Sequence, residues 1–150
     1  MAEASKASVR ERALALLSRR DHSARELADK LVVQFDPELV LEVVGELAQQ
    51  GLQSDARFAE VMTRSRIQRG HGPLRIRAEL KQKGVAAEAI ETALQQQEVD
   101  WFHQACVVRQ RRFGGAPCAE RREQARQIRF LQYRGFTMEQ IQHALAVTEE

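Results

Sequence analysis

A three-fold internal repeat constrains this chain more than any other feature of its sequence. Three segments, which begin at Phe35, Val85 and Phe136, share a pattern in which an apolar residue is followed by two spacers and then by glutamate. Their spacings are 50 and 51 residues. Apolar residues recur at matched positions behind each glutamate: Val40 and Val44, Ile90 and Leu94, Ile141 and Leu145. Repeats of this length are typical of tandem helical units that bury their apolar faces against their neighbours.

Helix start and stop signals accompany the repeat, whereas the alternation of apolar and polar residues that marks strands is absent. Asp36-Pro37 has the residue types of an N-cap and first helical position, and Thr137 with Gln140 has the spacing of a capping box, as does Ser23 with Glu26. The sequence therefore predicts an all-α fold of three tandem three-helix repeats of helix-turn-helix type, which form an elongated, curved array. The predicted units span 9–52, 54–97 and 98–147, after a flexible N-terminus at 1–8.

The middle repeat contains a short corner between two predicted helices. Gly70-His71-Gly72 separates a helix that opens near Asp55 from one that opens at Pro73, a residue suited to the first helical position. We expect Gly70, Gly72 and Pro73 to form a structural corner, with a positive φ at one of the two glycines.

Charge is sorted by helix, although the net charge is only +2. The third helix of each repeat is predicted to be acidic, as at Glu42 and Glu46, whereas the first two helices of the second and third repeats are basic. One helix of the third repeat carries Arg122, Arg126, Arg129 and Tyr133 at i, i+4, i+7 and i+11, which places them in one arc. Burying three unpaired guanidinium groups would be very costly, so we expect this row to be exposed. The sequence indicates a surface for phosphate or for an acidic protein, and a solvated face is the alternative.

A second group of basic residues lies in the middle repeat and is also a candidate for contact with a partner or with DNA. Its members are Arg57, Arg64, Arg66, Arg69, Arg75, Arg77 and Lys81.

Several function classes lack support. The four histidines are scattered, Cys106 and Cys118 form no metal-binding or redox motif, and no phosphate-binding loop or nucleophile elbow occurs. We therefore expect no enzyme activity, no metal and no cofactor. A DNA reader that inserts the third helix of a unit in the major groove is disfavoured, because the glutamates on those helices would face phosphates. The N-terminus does not have the pattern of a signal peptide and no membrane span is indicated, so we expect a cytoplasmic protein.

The motifs of the middle and last repeats resemble those of the RecX family, bacterial regulators of the RecA recombinase. The resemblance rests on Gly-Leu-Gln-Ser-Asp-Ala-Arg-Phe-Ala at 51–59, Arg-Gly-His-Gly-Pro-Leu-Arg-Ile at 69–76 and Phe-Leu-Gln-Tyr-Arg-Gly-Phe at 130–136, with Lys83-Gly84 and Trp101. It extends from about Arg12 to Ala146. His71 departs from the family pattern, which has an aromatic residue there, usually tyrosine.

The resemblance implies a partner and an activity. The partner would be RecA polymerised on single-stranded DNA, and the expected activity is inhibition of strand exchange and ATP hydrolysis by a monomer lodged in the filament groove. Both blocked filament extension and promoted disassembly remain open as routes. The alternative is a helical module that binds single- or double-stranded DNA weakly and without sequence preference, through phosphate contacts alone.

Overall fold

The chain is all-helical in the part that its computed structural model describes, residues 5–147. No strand occurs within these residues. The nine helices of this described part are α1 (Lys6–Arg19), α2 (Ala24–Leu31), α3 (Pro37–Gln49), α4 (Asp55–Gln68), α5 (Pro73–Gln82), α6 (Ala87–Gln96), α7 (Trp101–Phe113), α8 (Arg121–Arg134) and α9 (Met138–Ala146). The predicted fold class is confirmed, while the elongated arrangement and the three predicted unit boundaries stay predictions.

Capping side chains set the starts of several helices, as the sequence predicts. Asp36 caps α3, with Pro37 in its first turn. Thr137 caps α9 and forms a complete capping box with Gln140, because each residue's side chain accepts a hydrogen bond from the other's backbone amide. At α2 the box is only half formed. Ser23 accepts from the amide of Glu26, but the carboxylate of Glu26 pairs instead with Arg20 at 3.0 Å and Lys83 at 3.2 Å.

Helix α1 begins earlier than the sequence predicts. Residues 6–8 are helical, although a flexible start was expected for 1–8; residues 1–4 lie outside the described range. The side chain of Ser5 accepts a hydrogen bond from the amide of Ser8, which caps the helix. Lys6 forms ion pairs with Glu42 and Glu46 of α3. These contacts stabilise residues 6–8 as an additional turn of α1, which the composition of the segment does not predict.

The chain packs as two compact units, each with its own core. Unit 1 contains the residues up to Met62 together with Leu80–Ala93, and unit 2 contains Thr63–Glu79 and the residues from Leu94 onward. The core of unit 1 joins α1, α2 and α3 through Val9, Ala13, Leu27, Leu31, Val40, Val43, Val44 and Leu47. The core of unit 2 joins α7, α8 and α9 through Ala105, Cys106, Val108, Leu131, Phe136, Ile141 and Ala144. Helices α4, α5 and α6 each contribute residues to both units.

Candidate functional site

The corner between α4 and α5 is buried within unit 2. Gly70, His71, Gly72 and Pro73 all have little exposed surface. Gly70 adopts φ +85°, so the expected positive φ occurs at the first glycine. Gly72 has a different reason to be glycine: an added Cβ would lie 2.5 Å from the carbonyl carbon and oxygen of Gly135 and 2.6 Å from the amide of Phe136. Only a residue without a side chain allows the two backbone segments to approach so closely.

The corner is held against the C-terminal end of α8 by backbone hydrogen bonds. The amide of Gly72 donates to the carbonyl of Arg134 at 2.6 Å, and the amide of Leu74 donates to the carbonyl of Gly135 at 2.9 Å. In the opposite direction, Nη1 of Arg134 donates to the carbonyl of Arg69 at 2.7 Å. The two amide bonds satisfy carbonyl groups at the end of α8 that a helix leaves without intrahelical partners, and the bond from Arg134 satisfies a carbonyl just past the end of α4. The corner therefore fixes the end of α8 relative to the start of α5.

His71 is neutral inside this corner. Its side chain is buried, and its Nδ1 has no hydrogen-bond partner among residues 5–147. Burial lowers the pKa of His71 to about 4, and the charge of Arg75 acts in the same direction. Arg66 and Arg134 also lower the pKa of this histidine, whereas Glu79 raises it. An uncharged imidazole is thus the form that this part of the fold accommodates at neutral pH.

We expect His71 to make unit 2 less stable in acid. The unfolded chain protonates this histidine below about pH 6.5, whereas the folded chain does so only near pH 4, so stability falls as the pH falls through this window. In His71→Gln the free energy of unfolding should fall less steeply as the pH is lowered. For one proton the slope amounts to at most about 1.4 kcal/mol per pH unit. Urea unfolding between about pH 7 and about pH 5 measures this slope.

The matched control for this prediction is His103→Gln, because His103 is exposed. It should leave the slope of stability against pH unchanged. A residual slope is expected in the His71 variant, since burial also lowers the pKa of His22. Equal slopes in the wild type and His71→Gln would show that the corner accepts a protonated histidine.

The predicted arginine row lies on the exposed face of α8. Arg122, Arg126 and Arg129 are exposed, and Tyr133 retains 74% of its accessible surface. The opposite face carries Leu131, which is fully buried in the core of unit 2. Arg122 and Arg129 form no hydrogen bond or ion pair with the described residues. The expected exposure of the row is therefore observed; its role in binding stays a prediction.

One member of the row is already engaged within the protein. Nη1 of Arg126 lies 2.8 Å from the carboxylate of Glu123, and its guanidinium lies 5.1 Å from the centre of the Phe113 ring. The ion pair lowers the pKa of Glu123 through its hydrogen bond. Because the pair lies at the surface, with Arg126 exposed and Glu123 half-buried, it contributes little to stability.

The structure brings together two of the predicted site residues that are 58 positions apart. The guanidinium of Arg75 lies 5.0 Å from the centre of the Tyr133 ring, and its Nη1 donates to the carbonyl of Tyr133 at 3.3 Å. Gly135, with φ +99°, leaves room for this approach, since an added Cβ there would lie 2.3 Å from Cβ of Arg75. A cation over an exposed aromatic ring thus ends the arginine row.

Two arginines of the middle repeat have structural partners. Arg66 forms two-pronged hydrogen bonds with Glu79, at 2.7 Å for the shortest, and this pairing raises the pKa of Arg66 and lowers that of Glu79. Arg57 lies in unit 1, where its Nε donates to Asp21 at 2.9 Å and its Nη groups donate to the carbonyls of Gly51 and Leu52. These two residues stabilise the fold locally and are less available to a partner than the sequence suggests.

The remaining predicted residues occupy different surroundings. Arg64 is exposed and Arg77 half-buried, and both interact with other parts of the protein. Lys81 is exposed at the end of α5 and belongs to unit 1. Arg69 is exposed beside the corner. The middle group therefore divides between the two units, with Arg57 and Lys81 in unit 1 and the other five arginines in unit 2.

Unit 2 contains a concave site that was not predicted from the sequence. A pocket of about 220 Å³, named here the arginine pocket, is lined chiefly by Arg69, Val108, Arg111, Arg112, Phe130 and Arg134. Its residues come from three separate segments, so periodicity within one helix could not reveal it. The Arg111-Arg112 pair at the end of α7 is the one local signal.

Two kinds of feature are absent from residues 5–147, a metal-binding cluster and a membrane-spanning helix. These residues contain no group of three or more histidine, cysteine, aspartate or glutamate side chains placed to hold a metal ion. None of their helices combines the length and apolar character that a membrane span requires.

Known families and proteins resemble this chain over most of its length. Three family models, described as the first, second and third three-helix domains of RecX, match residues 10–47, 54–94 and 98–145. The regulatory protein RecX of Halorhodospira halophila is 52% identical over 153 residues, covering 100% of this chain and 95% of the relative. The chain belongs to the RecX family. The regulatory protein RecX of Chromohalobacter salexigens is 44% identical and covers 93% of this chain and 92% of its own length.

Solved RecX structures share the fold. The crystal structure of RecX from Lactobacillus salivarius superimposes with a TM-score of 0.76 at 22% identity, covering 93% of this chain and 94% of the other. A second crystal structure, of a regulatory protein RecX, gives a TM-score of 0.73 at 29% identity and covers 91% of this chain and 70% of the other. The RecX resemblance of the sequence motifs is thus confirmed at the level of family and fold.

Proposed function

We propose that this chain regulates the RecA recombinase by binding the filament that RecA forms on single-stranded DNA. Binding suppresses strand exchange and ATP hydrolysis, with the chain lodged as a monomer in the filament groove and acting in the cytoplasm. The observation that carries the proposal is the exposed row on α8, where Arg122 and Arg129 have no acidic partner among the described residues and Tyr133 is largely exposed. Family membership supplies the identity of the partner.

The residue types in the row favour a protein partner. Arginine and tyrosine are over-represented among the residues that contribute most to protein interfaces. Tyr133 is anchored from one side by Arg75, which limits the ring's freedom before binding. The row also stands on a helix whose end is fixed by the corner, so its geometry is set in advance of binding.

The acidic third helix of the first repeat supports the same assignment. On α3, Glu42 and Glu46 hold Lys6 in ion pairs rather than facing a phosphate backbone. A DNA reader of helix-turn-helix type would instead present donors to base edges from such a helix.

The second candidate is a module that binds nucleic acid without sequence preference, through phosphate contacts. The unpaired guanidinium groups of Arg122 and Arg129 favour it, because arginine is a good donor to phosphate oxygens. Phosphate contacts alone would give binding that weakens steeply as salt is added.

Co-sedimentation distinguishes the two candidates. At about 150 mM salt, where phosphate-driven binding is weakened, the chain should bind RecA–DNA filaments at least about tenfold more tightly than bare single-stranded DNA. A RecA-free pellet of DNA bound to an unrelated single-strand-binding protein serves as the control for trapping. Equal affinity for filaments and bare DNA would support the phosphate-binding module and contradict the proposed function.

A further inference from the structure

The arginine pocket concentrates positive charge on a concave surface. Four guanidinium groups, those of Arg69, Arg111, Arg112 and Arg134, line it, and none of its described lining residues is acidic. Val108 and Phe130 supply the apolar part of its wall. Four like charges without a counter-charge repel one another, so the pocket favours an anion that would relieve this repulsion.

Two of the four guanidinium groups are held in place by the fold. Arg134 lies 4.8 Å from the centre of the Phe130 ring and donates to the carbonyl of Arg69 at 2.7 Å. Arg112 lies 5.7 Å from the same ring centre, and Phe113 packs edge-on against Phe130. Stacking on a ring leaves the N–H edges of a guanidinium group available. These two cations are therefore positioned before any ligand arrives, which lowers the entropy cost of binding.

The donors in the pocket remain available to a ligand. Arg111 and Arg112 donate no hydrogen bond to residues 5–147, and each guanidinium carries five N–H groups. Arginine pairs with phosphate oxygens through two parallel hydrogen bonds, and such charge-assisted bonds are among the strongest in proteins. Several phosphate oxygens close together would match this arrangement of donors.

We propose that the arginine pocket binds the polyphosphate chain of a small molecule, a free pyrophosphate or triphosphate or the phosphate chain of a nucleotide. Size and charge select this class. The volume of the pocket is about 220 Å³. That space holds a short polyphosphate but does not enclose a base and sugar as well, since pockets that enclose whole ligands begin at about 300 Å³.

A nucleic-acid backbone fits the pocket less well. Each phosphodiester carries one negative charge and the next lies further along the strand, so a strand pairs best with cations in a row. The row on α8 has that geometry, whereas the arginine pocket gathers four cations in one concavity, two of them over the Phe130 ring. The polyphosphate proposal is independent of filament binding by the α8 row.

Isothermal titration with sodium pyrophosphate and sodium tripolyphosphate tests the proposal on the full chain. Saturable binding with a stoichiometry of one is expected, and the double variant Arg111→Gln, Arg112→Gln should weaken it at least about tenfold. Both side chains are exposed, so the variant should fold, and circular dichroism checks this. The matched control is Arg12→Gln, Arg19→Gln on α1, which removes the same charge from exposed positions of unit 1 and should change the affinity less than about twofold.

The titrations also separate the sources of the phosphate. ADP and ATP that bind as tightly as pyrophosphate and tripolyphosphate indicate that the phosphate chain is the whole recognised group, and tighter binding of the nucleotides indicates that the base adds contacts outside the pocket. Absence of saturable pyrophosphate binding would overturn the proposal. An equal loss of pyrophosphate affinity in the variants Arg111→Gln, Arg112→Gln and Arg12→Gln, Arg19→Gln would also overturn it. A single-stranded oligonucleotide of about 12 nucleotides that needs Arg111 and Arg112 and is not displaced by pyrophosphate would replace it with a backbone-phosphate site.

Discussion

Gly72→Ala should lower the melting temperature of this chain by about 2–12 °C. The added Cβ would meet backbone atoms of Gly135 and Phe136 at 2.5–2.6 Å, and backbone cannot turn aside as the end of a flexible side chain can. Overpacking of this kind costs about 1–3 kcal/mol, and for a chain of this length each kcal/mol shifts the melting temperature by about 2–4 °C. The clash would also displace the 2.6 Å hydrogen bond from the Gly72 amide to Arg134. Thermal unfolding followed by circular dichroism gives the measurement.

Gly45→Ala provides the opposite expectation in the same assay. Gly45 lies inside α3, and an added Cβ would meet nothing within 4 Å. Because alanine loses less conformational freedom than glycine on forming a helix, this variant should be stabilised by about 0.4–1 kcal/mol. If Gly72→Ala melts at the wild-type temperature while Gly45→Ala behaves as expected, the corner is a linker that can move away from the end of α8.

The predicted corner illustrates what local sequence can specify. The positive φ of Gly70 and the helix start at Pro73 follow from the conformational freedom of glycine and the fixed φ of proline, so both could be predicted. The reason why position 72 requires glycine could not be predicted from local sequence. It lies in the backbone of Gly135, which is 63 residues away in sequence and becomes a neighbour only in the folded chain.

The same distinction explains the outcome for the basic residues. The row on α8 was predictable because helical periodicity places Arg122 and Arg129 opposite the buried Leu131. The partner of Arg57 is Asp21, which lies 36 residues earlier in the segment between α1 and α2, and no helical periodicity connects that segment with α4. An arginine that the sequence suggests is available to a binding partner can therefore be engaged in contacts within the protein.

Aromatic residues show where composition misleads. Phe58 is buried, as expected of an aromatic residue in a small helical core, whereas Phe102 retains 41% of its accessible surface and packs edge-on against His143. Asp100 caps α7 by accepting from the amides of Phe102 and His103, which fixes the first turn of that helix. The hydrophobic character of Phe102 therefore does not determine which side of the first turn of α7 faces the core.

Reversing the arginine row should abolish most of the regulatory activity. In the triple variant Arg122→Glu, Arg126→Glu, Arg129→Glu, the concentration needed to inhibit RecA ATP hydrolysis by half should rise at least about tenfold. The reason is that the exposed row would repel the acidic protein surface or DNA phosphates that it is proposed to contact. The difference should be largest at low salt, because the screening length grows from about 8 Å at 0.15 M to about 30 Å at 0.01 M.

The controls for this variant follow from the contacts of the row. Reversal of Glu42 and Glu46 is unsuitable as a control, because these residues pair with Lys6 of α1. The triple variant Arg10→Glu, Arg12→Glu, Arg19→Glu makes the same change in charge on α1 and should still inhibit. Because Arg126 pairs with Glu123, the double variant Arg122→Glu, Arg129→Glu tests the row without placing two carboxylates side by side. If a folded double and a folded triple variant inhibit at the wild-type concentration, the contact lies elsewhere, and Arg69 and Arg75 beside the corner become the next residues to reverse.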